Sequence, residues 1–304
     1  MTVRALMQAG LRLLAVGVGC AVIAGCANSY TVDDYANLAQ NLQDRGHLRT
    51  ETDPPDAPVT LRRLERTFRD VVFHYEFHFK DGRMINERID KPLKRWKGHI
   101  RYKFIGDAVA AKDRRDVAEL TAEIARLTGL TFEEVDGRHD LLISIASPAG
   151  RNDVSRTLRN SNLPTYRKRY DTWRKTPNWV CGATLSTEWD VPGRLIFAHV
   201  FMGSEVTGLL RKACLHEEIV QALGLTNDSE AARPSIFNDD QEFALMTEHD
   251  GMLLQALYDP RLRPGMSAEE AMPAVREVLS GVLAERGVRQ FAGVASGPGR
   301  PNPG

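Results

Sequence analysis

Ala213-Cys214-Leu215-His216-Glu217-Glu218-Ile219-Val220-Gln221-Ala222-Leu223-Gly224-Leu225-Thr226-Asn227-Asp228 is the stretch whose reading decides the fold. Val206, Leu210, Ala213, Val220 and Gly224 recur on one side of a helix, and Leu215, Ile219 and Leu223 on another. Two apolar sides predict a helix that lies mostly in the interior. Arg211 and Lys212 leave it a narrow solvent-facing strip. Glu217 and Gln221 stand four residues apart, so one helical turn brings them onto the same face. Both interrupt a stripe that should be buried. A buried carboxylate is costly without a partner, so Glu217 needs a cation, a proton or an arginine such as Arg233.

The rest of the chain is ordinary in bulk. Its 304 residues allow one or two domains with ample core. Lys plus Arg and Asp plus Glu are both 40, so no net field draws in nucleic acid. Hydrophobic content of 42% and charged content of 26% suit a globular protein.

The first residues stand apart. Arg4 and Arg12 precede an apolar run from Leu13 to Ala24, too short for a membrane span and patterned like a signal peptide. The run ends Val22-Ile23-Ala24-Gly25-Cys26, which resembles a bacterial lipobox. That resemblance implies cleavage after residue 25, lipid on Cys26 and a bacterial envelope location facing the periplasm. Ala27 after the cysteine leans toward the outer membrane. With Cys20 removed and Cys26 lipidated, Cys181 and Cys214 are an even pair in an oxidising compartment. A disulfide between them is expected, with two buried free thiols as the alternative.

In chain order, residues 26–60 read as a lipidated terminus and tether with one short helix near Tyr35 to Gln43. Thr60 caps a helix from Leu61 to about Tyr75. Asp81-Gly82 marks a turn, and Ile100 to Ile105 alternates as a strand ended by Gly106. Asp113 to Leu127 is an amphipathic helix. Thr131 to Val135 and Leu141 to Ala146 read as strands joined at Asp136-Gly137. Residues 147–180 show no strong period and read as irregular. Leu195 to Met202 is a strand, Gln241 to Leu257 a helix and Ala268 to Leu283 another. The globular part is expected over 61–289, with 290–304 a disordered Gly- and Pro-rich tail. His74 and His78 have ligand spacing on a segment that alternates like a strand. His249 reads as a surface residue.

The opening stretch resembles the zinc-peptidase helix H-E-x-x-H-x-x-G-x-x-H. In the register that fits, Glu218 takes the catalytic glutamate and Gly224 the glycine, while Glu217, Gln221 and Asn227 replace the three histidines. Placing His216 as first ligand would put Val220 as second, and valine cannot bind metal. The order of parts resembles a matrixin-type metzincin, which implies an edge strand for substrate just before the helix. Phe237 in Ser235-Ile236-Phe237 then occupies the Met-turn, and Asp250 to Tyr258 is the closing helix. The fold class expected is α+β: a metzincin-like domain with a small mixed sheet, a central buried helix and a C-terminal helix. A second resemblance is to proteobacterial lipoproteins built around a domain of unknown function. It rests on Leu48-Arg49-Thr50, Asp56-Ala57-Pro58, Arg95-Trp96, the Glu217 to Asp228 stretch and Tyr258-Asp259-Pro260-Arg261-Leu262.

A working zinc hydrolase needs histidine nitrogens and a water whose proton a glutamate takes, here Glu218. One carboxylate and two amide oxygens suit calcium, magnesium or manganese better than zinc, with low affinity. Asp228 and His216 are further donors near the set. The sequence therefore favours a lipid-anchored module whose degenerate site binds a peptide or envelope partner without catalysis. A divergent metallopeptidase using Glu218 is the alternative, and a purely structural envelope lipoprotein a third reading.

Overall fold

A computed structural model describes residues 31–295, apart from 75–77, 81–82, 86–88, 162–163, 177–178 and 239. The expected signal, Cys26 and the Asp81-Gly82 turn lie outside the described residues.

The architecture is α+β, with eight helices and a five-stranded mixed sheet among the described residues. In chain order these are α1 (Val32–Asp44), α2 (Leu61–Phe73), the pair β1 (His78–Lys80) and β2 (Arg83–Ile85), β3 (His99–Ile105), α3 (Ala111–Thr128), β4 (Thr131–Glu134) and β5 (Leu141–Ala146). There follow α4 (Arg151–Asn160), α5 (Pro164–Trp173), β6 (Cys181–Thr187), β7 (Leu195–Gly203), α6 (Gly208–Gln221), α7 (Glu248–Leu257) and α8 (Ala268–Ala295). The sheet order is β4-β3-β5-β7-β6, parallel except for β6, which pairs antiparallel with β7.

β4 and β5 are not a hairpin. β4 pairs with the first half of β3, from His99 to Tyr102, and β5 with the second half, from Tyr102 to Ile105. Residues 135–140 carry the chain across β3, held where Val135 donates to the Tyr102 carbonyl and Asp140 to that of Arg101.

β5 is buried at every position because helices cover both faces of the sheet. On one face α6, α3, α7, α2 and α8 build the main core. On the other, α4 and α5 press Val154, Leu158, Tyr166, Tyr170 and Trp173 onto Leu142 and Phe201. These two helices replace the irregular segment expected over 147–180. Tyr166, Tyr170 and Trp173 recur at helical spacing, and that signal was masked by the charged residues between them.

Thr60 caps α2 as expected, its hydroxyl accepting from the Arg63 amide. α7 starts at Glu248, not near Gln241, because Gln241 has φ +54° and Phe243 forms a parallel bridge with Arg49. α8 continues to Ala295, so the expected tail is helical over 290–295. Arg211 and Lys212 are not a solvent strip. They turn onto Asp113 (2.7 Å) and Asp116 (3.6 Å) of α3, joining the two helices.

Cys181 at the start of β6 and Cys214 in α6 form the expected disulfide, S–S 2.01 Å. It ties the edge strand to the central helix. Closing a loop of this size removes roughly 3–4 kcal/mol of unfolded-state entropy. The Cys181→Ala, Cys214→Ala double variant should lose about that much. Chemical denaturation of the two proteins under oxidising conditions measures it.

Candidate functional site

The central helix delivers the predicted residues to its C-terminal half. Glu218 and Gln221 are buried, and Glu217 and Asn227 are half-buried. Glu217 lines a small cavity with Leu48, Leu210, Ala213, Cys214, Ile236, Gln241 and Phe243. Gln221 Nε2 donates to Asp228 Oδ1 at 3.4 Å. Asn227 Nδ2 donates to the backbone carbonyls of Asp228 (2.8 Å) and Asp70 (3.1 Å). Gln221 and Asn227 thus both engage Asp228, while Glu217 faces the cavity.

This donor set does not fit zinc. It offers one carboxylate and two carboxamides, and both amide nitrogens are engaged as donors. No cluster of three His, Cys, Asp or Glu suited to a metal ion occurs among the described residues. His216 is committed as well. Its Nδ1 accepts from the Met246 amide at 3.1 Å, and burial, aided by Lys212, pushes its pKa down to about 4.

The turn after the helix is built from below. Ser235 and Phe237 are fully buried, as is Asp250 in α7. The Asp250 carboxyl accepts from Ser235 Oγ (2.5 Å), the Ile236 amide (3.2 Å), and the Thr247 amide and hydroxyl (both 2.9 Å). One side chain therefore caps α7 and fixes the turn carrying Phe237. Burial raises its pKa to about 6 against the pull of those donors.

The groove beside α6 is covered by the chain itself. Residues 45–59, expected as tether, form a strap that puts Leu48, Ala57 and Val59 into the core. Leu48 sits at φ +52° and its amide donates to the Gln241 carbonyl. Arg49 bridges in parallel with Phe243, donating to the Glu242 carbonyl and accepting from the Ala244 amide. The strap is pinned by alternating charges. Arg49 meets Asp56 (2.8 Å) and Glu242 (3.1 Å), and Arg233 meets Glu242 (2.6 Å) and Asp56 (2.7 Å). The Arg49 guanidinium holds the Asp56 carboxyl well below the usual range, and Arg233 does the same for Glu242. Arg233, expected to neutralise Glu217, is spent on this network.

A second cluster holds the far end of α6. Trp96 Nε1 donates to the Ala222 carbonyl and Tyr258 Oη to the Leu223 carbonyl, both at 2.8 Å. Arg95 reaches the carbonyls of Asp259 and Leu262 (2.8 Å) and Tyr258 (3.1 Å), and its guanidinium lies over the Tyr258 ring. Arg95 thereby fixes the turn that follows α7.

The sequence model of a family described as "Protein of unknown function (DUF2927)" matches residues 62–277. The chain belongs to this family. The match takes in α2 through the start of α8, including α6, the turn at 235–237 and the Arg95-Trp96 clamp; the strap precedes it. No curated protein matches the chain.

Several polar groups were not foreseen. His249 is fully buried, against the expectation of a surface residue, and neither ring nitrogen has a hydrogen-bond partner. Ser144 Oγ and His199 Nε2 meet at 2.8 Å, both buried, so the pair is closed to any substrate. His74 bonds Asp90 and the Asp70 carbonyl, and the His78 side chain lies outside the described residues. Leu195 to Met202, expected as the edge strand, is internal: the sheet's edge there is β6, which turns back antiparallel outside β7.

Proposed function

We propose that this protein is a lipid-anchored module of the bacterial cell envelope. It binds an extended segment of an envelope protein in the groove beside α6 and does not hydrolyse it. The strap carries this reading: a stretch of polypeptide already covers the cavity beside α6, anchored by Leu48 and by backbone pairing of Arg49. Main-chain pairing plus an apolar anchor is a general way to hold a peptide. The order of strand, helix, strands, buried helix, glycine turn, clamped turn and closing helix supports a metzincin-like ancestry. The expected Cys26 lipid and the Cys181–Cys214 bond support an oxidising envelope compartment, facing the periplasm from the outer membrane.

In this reading the strap is a resident competitor, so weakening it should raise affinity for a segment offered in trans. A fluorescent peptide of residues 44–58 is titrated against the native chain and Leu48→Asp. At least about tenfold tighter binding to the variant is expected, from the larger fraction of open groove. Equal binding, or none to either, overturns the groove reading. The peptide should be recovered intact with zinc, calcium or manganese added. Cleavage that stops in Glu218→Gln would replace binding by hydrolysis.

A further inference from the structure

Residues 151–175 hold eight Lys or Arg and two Asp, in a chain whose charges balance overall. The helical pair α4–α5 carries this excess on its outer side. Its two acids are spent locally, Asp153 on Arg156 and Asp171 on Arg174 (2.8 Å). Arg151 turns inward to Glu205 at 2.6 Å. Arg159, Arg167, Lys168 and Lys175 have no acidic partner among the described residues, and the last three line one shallow depression along α5. Lone exposed cations are common, but four on one helical pair with the local acids consumed make a positive face.

A second observation adjoins it. Trp189, in the β6–β7 loop, is 92% exposed, and Ile196 at the start of β7 is 46% exposed. The strands that carry this loop adjoin the N-terminal end of α5, where Tyr166 donates to the Phe197 carbonyl and packs on the Phe197 ring at 4.8 Å; Ile196, one residue before Phe197, points to the opposite face of the sheet. A tryptophan left almost wholly in water costs apolar hydration without visible return within the fold. Indole next to long cationic side chains is the composition that settles at the boundary between headgroups and acyl chains. Glu188 is neutralised by Arg194 at 2.7 Å, leaving Asp190 as an acid in that loop.

We infer that the α4–α5 face, with Trp189 at its rim, docks on an anionic phospholipid surface. The occupant is a bilayer, not an acidic protein, because the cations are spread along a helical face with an exposed indole and no pocket shaped for one carboxylate. The inference does not use the groove beside α6, so either can fail alone. It gives the expected Cys26 anchor a partner. Each cation near an anionic surface contributes about 1 kcal/mol, falling away within a Debye length.

The test uses the chain from residue 27, which keeps every described residue and removes the lipid site. It is sedimented with vesicles of phosphatidylcholine alone and with phosphatidylglycerol added, at low and high salt. Binding is expected only to the anionic vesicles and should fade with salt. The Arg167→Gln, Lys168→Gln, Lys175→Gln variant should bind about a hundredfold more weakly, three cations at about 1 kcal/mol each. Trp189→Ser should weaken binding without changing its salt dependence. Circular dichroism confirms that both variants fold. Equal binding to neutral vesicles, no binding to anionic ones, or unchanged binding by the triple variant overturns the inference. Binding to soluble polyglutamate but not to vesicles would assign the face to an acidic polypeptide instead.

Discussion

Lowering the pH from 7 to 4 is expected to remove most of the protein's stability. His199 and His249 are interior, and burial lowers their pKa values to about 3; that of His216 falls to about 4. In the unfolded chain each titrates near 6.5. As pH falls below about 6.5, the unfolded state therefore takes up three protons that the folded state refuses. Asp250 works the other way. Its folded pKa of about 6 lies above the unfolded value near 3.9, so between pH 6 and 4 the folded state gains one proton first. The net difference is about two protons in favour of unfolding. That costs roughly 3 kcal/mol per pH unit across the window, against a typical total of about 5–15 kcal/mol. Urea midpoints followed by circular dichroism from pH 7 to 4 measure this slope. His249→Leu removes one of the three histidine contributions and leaves no polar atom unpartnered, so it should flatten the slope by about half. A profile that stays level to pH 4 would mean the histidines are not held neutral in the interior.

Gly224→Ala is expected to destabilise the fold by at least about 5 kcal/mol, or to prevent folding. Gly224 has φ +118°, a backbone shape that side chains rarely adopt. The space is also taken: a Cβ there would lie 2.2 Å from the Lys94 carbonyl oxygen and 3.2 Å from Leu257. Neither neighbour can yield cheaply. Lys94 precedes Arg95 and Trp96, which are bonded to the ends of α7 and α6, and Leu257 is the last residue of α7. Thermal unfolding compares the variant with native protein. Gly281→Ala is the control, since a Cβ there meets nothing within 4 Å. Similar melting of Gly224→Ala and native chain would show that the turn is not the fixed point described here.

The parts of this fold that were legible in the sequence are those with a local signature. The helix through Glu218 showed in its apolar stripes, its turn in Gly224, the cap of α2 in Thr60 and the disulfide in two leftover cysteines. What stayed hidden depends on residues far apart. His249 sits in Glu248-His249-Asp250-Gly251, which reads as surface, and only the packing of α2, α3 and α8 around α7 buries it. The strap is polar and rich in proline, yet Leu48 and Arg49 find their places on segments nearly two hundred residues away. Arg95-Trp96 and Tyr258-Asp259 were noticed as recurring pieces without a reason; they turn out to hold one another and the end of α6. Of the candidate site, the order of the helix and turns was readable. The partners of Gln221 and Asn227 were not, because amide hydrogen bonds leave no pattern along the chain.

The strap also decides how this domain responds to mechanical load. The chain meets α1 first, then the strap, and only afterwards α2 and the sheet. A pull from the N-terminal side therefore loads α1 and next the seat of Leu48, held by the Arg49–Phe243 bridge, by the Thr52 carbonyl accepting from the Glu248 amide, and by partly solvated ion pairs. The five-stranded sheet bears no tension until that has happened. Stretching at that end therefore loads the strap before the core.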